Sequence, residues 1–542
     1  MRQLTACLSA LCWVALSLSA PAARSQPVLS SSPRQADEAR CRAVLTRDFS
    51  HLEDASTELL TATYEPAHAP SPAYCRVEGY VVPQVGFELR LPLSGWNGKF
   101  LEVGSGGWGG EMYLFFCEGP LRKGYACIAS DMGHRGASSC GLWAFNNPQA
   151  QIDFAYRATH VTAVAGKAIV TAFYDTAPAK AMMFGCSTGG YQGMVEAQRF
   201  PWDFDGIVAI APDMNGEADL SMRIVWNTRA FTGEDGKPRL TSPELQLLHR
   251  AVLAKCDMSD GIKDGIVGNP VGCDFDPKVV ECRPGQTTDC LSADKVAVVR
   301  RIYGGPVDSH GVRLSTRGVF PGSELDWQAS DGGEVAEFFK YMLPGGAAGA
   351  NWQLKDFDFD RDYRRLGLGA LYSDSNPDLR QFKAAGGKLL VAQGGNDAVE
   401  IPGAVIDYYE TVTRTMGGPA ATQDFFRLFV VPGMKHCSGG SGAFAVDYLS
   451  ALEGWVEQGR PPDRMIGAHV DSHYLLEINN DPTKSDTDRI WWAALKLPLP
   501  LEQQVPVNFR RPLYPYPGVA VYKGSGDPNQ PENYIRGTVA SF

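Results

Sequence analysis

Apolar and polar positions along the chain form short, continuous apolar runs that alternate with longer stretches of helical spacing. Apolar runs of this length, bounded by Gly-rich turns, fit strands buried on both faces of a mostly parallel sheet. Lys99–Val103 is one such run and ends in Gly104-Ser105-Gly106-Gly107. Gly124–Ala129 is another and ends in Ser130-Asp131-Met132-Gly133-His134. Thr159–Tyr174 has helical spacing, Lys180–Phe184 reads as a strand, and Gln192–Arg199 as the helix that follows it. Phe204–Ile210, Lys388–Ala392 and Phe426–Val431 supply further strands. Strands alternating with helices in this way predict βαβ units and an α/β core.

Between Pro212 and about Pro377 the alternation stops. That stretch holds four cysteines, acidic turns and short mixed patterns. It predicts an inserted lid domain over 213–377 that splits the core into 26–212 and 378–542. Past Pro498 the chain is Pro-rich (Arg511-Pro512-Leu513-Tyr514-Pro515) and is expected to run extended over the surface.

A length of 542 residues suits one large domain plus such an insertion. The net charge of −11, with no basic cluster, argues against nucleic acid or an anionic membrane as partner. Residues 1–25 read as a signal peptide: Arg2, an apolar stretch Leu8–Leu18, then small residues at Ala20, Ala22, Ala23 and Ser25. The apolar stretch is too short for a membrane anchor, so a secreted or periplasmic location is expected. Cys7 and Cys12 leave with the signal, and eleven cysteines remain. An oxidising compartment favours pairing them, and the odd number leaves at least one free or intermolecular thiol. Cys127, inside the apolar run Tyr125–Ala129, reads as a buried strand thiol. Nothing in the pattern indicates an oligomeric state.

Gly185-Cys186-Ser187-Thr188-Gly189 fits G-x-S-x-G, with a strand before it and a helix after it. That context is what a nucleophile elbow needs, since a sharp strand-to-helix turn exposes the serine hydroxyl. The N–H of Thr188 then faces the developing oxyanion. In this fold the acid and then the histidine follow the serine in the chain. Asp397, in Gly394-Gly395-Asn396-Asp397, comes straight after the strand Lys388–Ala392, and His436 just after Phe426–Val431. The expected triad is Ser187, Asp397 and His436. Cys186 precedes the serine and Cys437 follows the histidine, so contact between Ser187 and His436 brings the two cysteines within disulfide reach.

Asp257, Asp260 and Asp264 place three carboxylates in one Gly-rich loop flanked by Cys256 and Cys273. Such oxygen donors suit a hard cation such as Ca²⁺. The spacing is not that of an EF-hand, and a solvated acidic double turn accounts for it equally well.

The run Phe184–Gly193, continued by Glu196-Ala197-Gln198-Arg199-Phe200-Pro201 and Asp203-Phe204-Asp205-Gly206-Ile207, closely resembles the tannase/feruloyl esterase family. So does Arg427–Cys437. That family includes the bacterial mono(2-hydroxyethyl) terephthalate hydrolase. The resemblance implies an α/β-hydrolase core with a lid, a triad at Ser187, Asp397 and His436, and a Cys186–Cys437 bond beneath it. It implies oxyanion donors at Thr188 and Gly106. It also implies a lid Ca²⁺ site from the side chains of Asp257, Asp260 and Asp264 and the carbonyls of Ile262 and Ile266. Cys41–Cys75, Cys256–Cys273 and Cys282–Cys290 fall on the family's other pairs. This chain departs in Tyr191, where many members carry Arg, in Tyr514, where some carry a cysteine, and in the additional Cys117, Cys127 and Cys140, of which Cys117 and Cys140 could pair.

The expected activity is a secreted serine esterase that cleaves small esters of aromatic acids: feruloyl, galloyl, hydroxybenzoyl or terephthaloyl. Trp108, Val399, Phe338 and Phe339 are the candidate pocket residues. The alternatives are a Ca²⁺-dependent binding protein or a serine peptidase on the same scaffold.

Overall fold

The computed structural model describes residues 33–538 apart from 215–216, 234, 328–332 and 344–347. The signal-peptide expectation for residues 1–25, with Cys7 and Cys12, lies outside the described residues. The strands are β1 (Thr57–Glu65), β2 (Tyr74–Val81), β3 (Val85–Pro92), β4 (Lys99–Val103), β5 (Ala126–Ser130), β6 (Lys180–Cys186), β7 (Gly206–Ile210), β8 (Lys388–Gly394) and β9 (Phe426–Val431). They form one sheet in the order β1-β2-β3-β5-β4-β6-β7-β8-β9. From β5 through β9 every neighbouring pair is parallel, while β1, β2 and β3 add an antiparallel edge.

Burial explains which strands were legible. Every residue of β5 and β7 is buried, because helices cover both faces there. In β2 every second residue is buried, the alternation of a strand with one wet face. The chain turns outward from β4 to β5 and then crosses to β6 on the other side. The loops leaving β4 and β6 therefore meet at the carboxyl end of the sheet, where the connections change direction.

The segment between β7 and β8 leaves the sheet and returns to the adjacent position. It packs its helices Glu217–Phe231, Ser242–Cys256 and Ala293–Gly304 around an apolar cluster of its own, including Leu240, Leu248, Leu291, Val299 and Ile302. Arg223, on the first of these helices, is 1% exposed and bridges Asp213 Oδ1 at 3.6 Å and Asp219 Oδ2 at 3.3 Å. The tail is more regular than its prolines suggest: β11 (Val507–Leu513) pairs with β10 (Met465–Val470), and β12 (Gly518–Tyr522) with β13 (Tyr534–Thr538).

Disulfides join Cys41–Cys75, Cys186–Cys437, Cys256–Cys273 and Cys282–Cys290. The Cys117–Cys140 expectation is corrected. Cys117 bonds Cys127, with Cα atoms 5.7 Å apart, and Cys140 is free and exposed. Cys127 is buried in its strand but is not a thiol, because β5 runs back past the turn Leu114–Cys117 and brings the two cysteines together.

Candidate active site

Ser187 sits between β6 and the helix Thr188–Arg199 with φ 60° and ψ −125°, a left-handed turn for a non-glycine residue. Its N–H donates to the Ile210 carbonyl at 3.0 Å, and its own carbonyl accepts from Tyr191 N–H at 2.9 Å. The turn is this tight only because its neighbours lack side chains. A Cβ on Gly185 would lie 2.3 Å from the Gly189 carbonyl oxygen, and one on Gly104 would lie 2.4 Å from Gly189 Cα. The loop after β4 thus lies directly against the start of the helix. Thr188 Oγ1 donates to the Gly107 carbonyl at 2.6 Å. Gly106 is covered by Tyr113, whose hydroxyl would lie 2.6 Å from a Cβ there.

Asp397 follows β8 and is fully buried. Its Oδ1 accepts from the N–H groups of Val399 and Glu400, both at 2.9 Å. Its Oδ2 accepts from Gln393 Nε2 at 3.1 Å and faces His436 Nδ1 at 2.9 Å. The carboxylate is therefore held at both oxygens. The His436 carbonyl accepts from Trp491 Nε1 at 2.6 Å, so the far helix Asp486–Leu495 pins the histidine loop. The Cys186–Cys437 bond, with Cα atoms 5.8 Å apart, ties the residue before Ser187 to the residue after His436.

The family model for tannase and feruloyl esterase matches residues 71–537. The chain belongs to this family. It is 32% identical to an uncharacterized esterase of Xanthomonas campestris pv. campestris, over 90% of each chain. It is 31% identical to the mono(2-hydroxyethyl) terephthalate hydrolase of Piscinibacter sakaiensis, over 86% of this chain and 85% of that one. The structure of feruloyl esterase B from Aspergillus oryzae matches with a TM-score of 0.77 at 26% identity, covering 92% of this chain and 100% of that chain. The fold is of the α/β-hydrolase type, and the protein is a carboxylic ester hydrolase.

Sequence reading passed over Gln192 in this tannase-family site, and the structure places the other candidates as follows. Gln192 is 3% exposed; its Oε1 accepts from Ser105 N–H at 2.8 Å and its Nε2 donates to Thr159 Oγ1 at 2.7 Å. It locks the β4 loop onto the helix that carries Ser187. Trp108 is buried rather than open, its Nε1 donating to the Glu334 carbonyl at 2.9 Å and its ring packed by Phe154 and Phe338. Phe338 and Phe339 are also buried, in the apolar cluster that contains Trp108 and Phe154. Val399 is 42% exposed and lines a cavity of about 400 Å³ with Ala398, Asn227, Asp326, Trp327 and Glu334. Tyr191 turns inward and donates to the Ala155 carbonyl at 2.6 Å.

The acidic loop of Asp257, Asp260 and Asp264 is partly organised. Asp257 accepts from the N–H groups of Asp264 and Gly265, Asp260 from Ile262, and Asp264 from Ile266. Arg511 Nη2 reaches Asp264 Oδ2 at 2.8 Å. Burial, with Asp264 and Asp257 nearby, pushes the Asp260 carboxyl up to about 7. The three carboxylates do not converge on one point. Among the described residues the group whose ligand atoms do converge is His160, Glu196 and Asp203, beneath the helix Thr188–Arg199. There Lys167 Nζ, 3.5 Å from Asp203 Oδ1, already supplies a cation. Burial raises Glu102 and Glu196 well above the usual carboxylate range.

No helix among the described residues is long and apolar enough to cross a membrane.

Proposed function

We propose that the protein is a secreted serine esterase that cleaves small esters of aromatic acids through an acyl-enzyme. The observation that carries this is the His436–Asp397 pair at 2.9 Å, tied by the Cys186–Cys437 bond to the strained turn at Ser187. His436 takes the proton of Ser187 as the hydroxyl attacks the ester carbonyl. Asp397 fixes the imidazole through Nδ1 and stabilises the imidazolium. The N–H groups of Thr188 and Gly106 stabilise the tetrahedral oxyanion. Water activated by His436 then releases the acid. Two relatives support the aromatic acyl class by their names, a terephthalate mono-ester hydrolase and a feruloyl esterase. Hydrolysis of feruloyl, galloyl, hydroxybenzoyl and terephthaloyl esters, beside a matching anilide, tests the reading. Cleavage of the anilide in preference to every ester would overturn it.

The role of Gln192 gives a separate expectation. Gln192→Leu removes the acceptor of Ser105 N–H and loosens the loop that carries Gly106. We expect kcat to fall about 10- to 100-fold, less than the roughly 10²- to 10³-fold of losing an oxyanion donor outright, while KM changes little. Steady-state kinetics beside a thermal melt measures this. A fall in KM and melting temperature with kcat intact would reduce Gln192 to a packing residue.

We further propose that Ca²⁺ binds the loop at Asp257, Asp260 and Asp264, with the carbonyls of Ile262 and Ile266, and is structural. The support is a set of hard oxygen donors in one loop and the Asp260 carboxyl, which burial and, after it, the neighbouring Asp264 and Asp257 push up, a cost that a divalent cation would relieve. A ligand that binds only the folded form stabilises it by mass action. Excess EDTA should therefore lower the thermal midpoint, and Asp260→Asn should abolish that response. An unchanged melt and no calcium on metal analysis would leave a plain acidic turn held by Arg511.

A further inference from the structure

Glu334 lies on the lid helix Gly333–Glu337 and is held against the loop after β4. Its carbonyl accepts from Trp108 Nε1 at 2.9 Å, and its Oε1 lies 3.1 Å from the place a Cβ on Gly107 would take. The carbonyl of the same Gly107 accepts from Thr188 Oγ1, so the Glu334 carboxylate stands beside the residue that follows Ser187. Across the cavity, Ala398 and Val399 belong to the loop that carries Asp397. The cavity therefore spans from the oxyanion side of the site to the acid side, under the lid.

Most of its wall is apolar, from Ile224, Phe231, Ile302, Val319, Trp327 and Val335. Two carboxylates interrupt it, Asp326 and Glu334. Asp326 is neutralised by Lys435 Nζ at 2.6 Å. The Glu334 carboxylate has no hydrogen-bond or ion-pair partner among the described residues; burial raises its pKa above the usual carboxylate value, and the nearby His436 acts in the opposite direction. Among the described residues the cavity thus holds one solvent-exposed carboxylate without an ion-pair partner in a mostly apolar wall.

We propose that Glu334 is a charge filter on the acyl group: the cavity takes esters of aromatic acids with a neutral, hydrogen-bond-donating ring substituent such as a phenol, and turns away those with a second carboxylate. A phenol hydroxyl donates to the carboxylate in a charge-assisted hydrogen bond. A second carboxylate about 8 Å away, at an effective dielectric of about 20, is disfavoured about 30-fold. The filter rests on the reading of Ser187 and its neighbours as the reaction site. It would separate this esterase from the relative that hydrolyses a terephthalate mono-ester.

The test compares kcat/KM for 2-hydroxyethyl 4-carboxybenzoate with its uncharged isostere 2-hydroxyethyl 4-carbamoylbenzoate. The two differ in charge and hardly in shape, so their ratio within one enzyme isolates the electrostatic effect. The wild-type enzyme should prefer the carbamoyl ester about 10- to 30-fold, mostly through KM. Glu334→Gln should bring the ratio to within about threefold of one. Asn227→Lys, which puts a cation in the same wall, should bring it down or invert it, and serves if the first variant does not fold. A wild-type ratio near one, or a ratio that survives in folded Glu334→Gln, would overturn the filter. Turnover of neither ester would overturn the aromatic-ester reading itself, and the filter with it.

Discussion

Ser187→Ala is expected to cut kcat on aryl esters by about 10⁴-fold or more, with the thermal midpoint almost unchanged. Loss of a nucleophile from a triad acting as a unit has effects on this scale, because the oxyanion hole and binding alone give little turnover. The fold should tolerate the change. The strained backbone at residue 187 is held by the Ile210 carbonyl and by Tyr191 N–H, not by the side chain. Burst kinetics with a 4-nitrophenyl ester and a melt on the same sample measure both halves. A variant that kept more than about a tenth of wild-type kcat would remove Ser187 from the mechanism.

Arg223→Met should have the largest effect on stability, a loss of about 3–5 kcal/mol, the usual cost of stripping one partner from a buried ion pair. Methionine fills much of the arginine's volume but leaves the Asp213 carboxylate, 1% exposed, without its bridging cation. Glu400, next to the loop of Asp397, compounds the cost. It is fully buried and already pushed well above the carboxylate range by burial and by Asp213, and Arg223 partly offsets that. Chemical denaturation reads the effect directly. A loss below about 1 kcal/mol would show that Asp213 is satisfied without the guanidinium.

The parallel half of the fold was legible because strands buried on both faces read as unbroken apolar runs. Lys99–Val103 and Phe426–Val431 fall where the sequence places them. The edge strands β1, β2 and β3 went unread. β1 and β2 have a wet face and mix polar residues such as Glu58 and Arg76 into the run, while β3 is almost wholly buried but carries Glu88 and Arg90 in its middle, and both patterns blur the apolar signal. The residues that carry the chemistry sit in loops straight after strands, where chain order and Gly-rich turns mark them. Their supports do not announce themselves. Gln192 and Trp491 act through hydrogen bonds to groups far away in the chain, and only the folded geometry pairs them. Cys127 misled for a related reason: an apolar run says that a residue is buried but not which residue faces it.

The Cys186–Cys437 bond spans 251 residues and closes a ring of chain that contains the whole segment between β7 and β8. A closed loop of that length removes about 5 kcal/mol of chain entropy from the unfolded state in the simplest model. The ring also acts as a leash. If the lid loosens or lets go of the core, Ser187 and His436 still cannot drift far from each other, so partial opening leaves their encounter intact. The leash has a cost in timing as well. The cysteine beside the nucleophile must wait for a partner made 251 residues later, so the site matures only once nearly the whole chain is available and an oxidant is at hand.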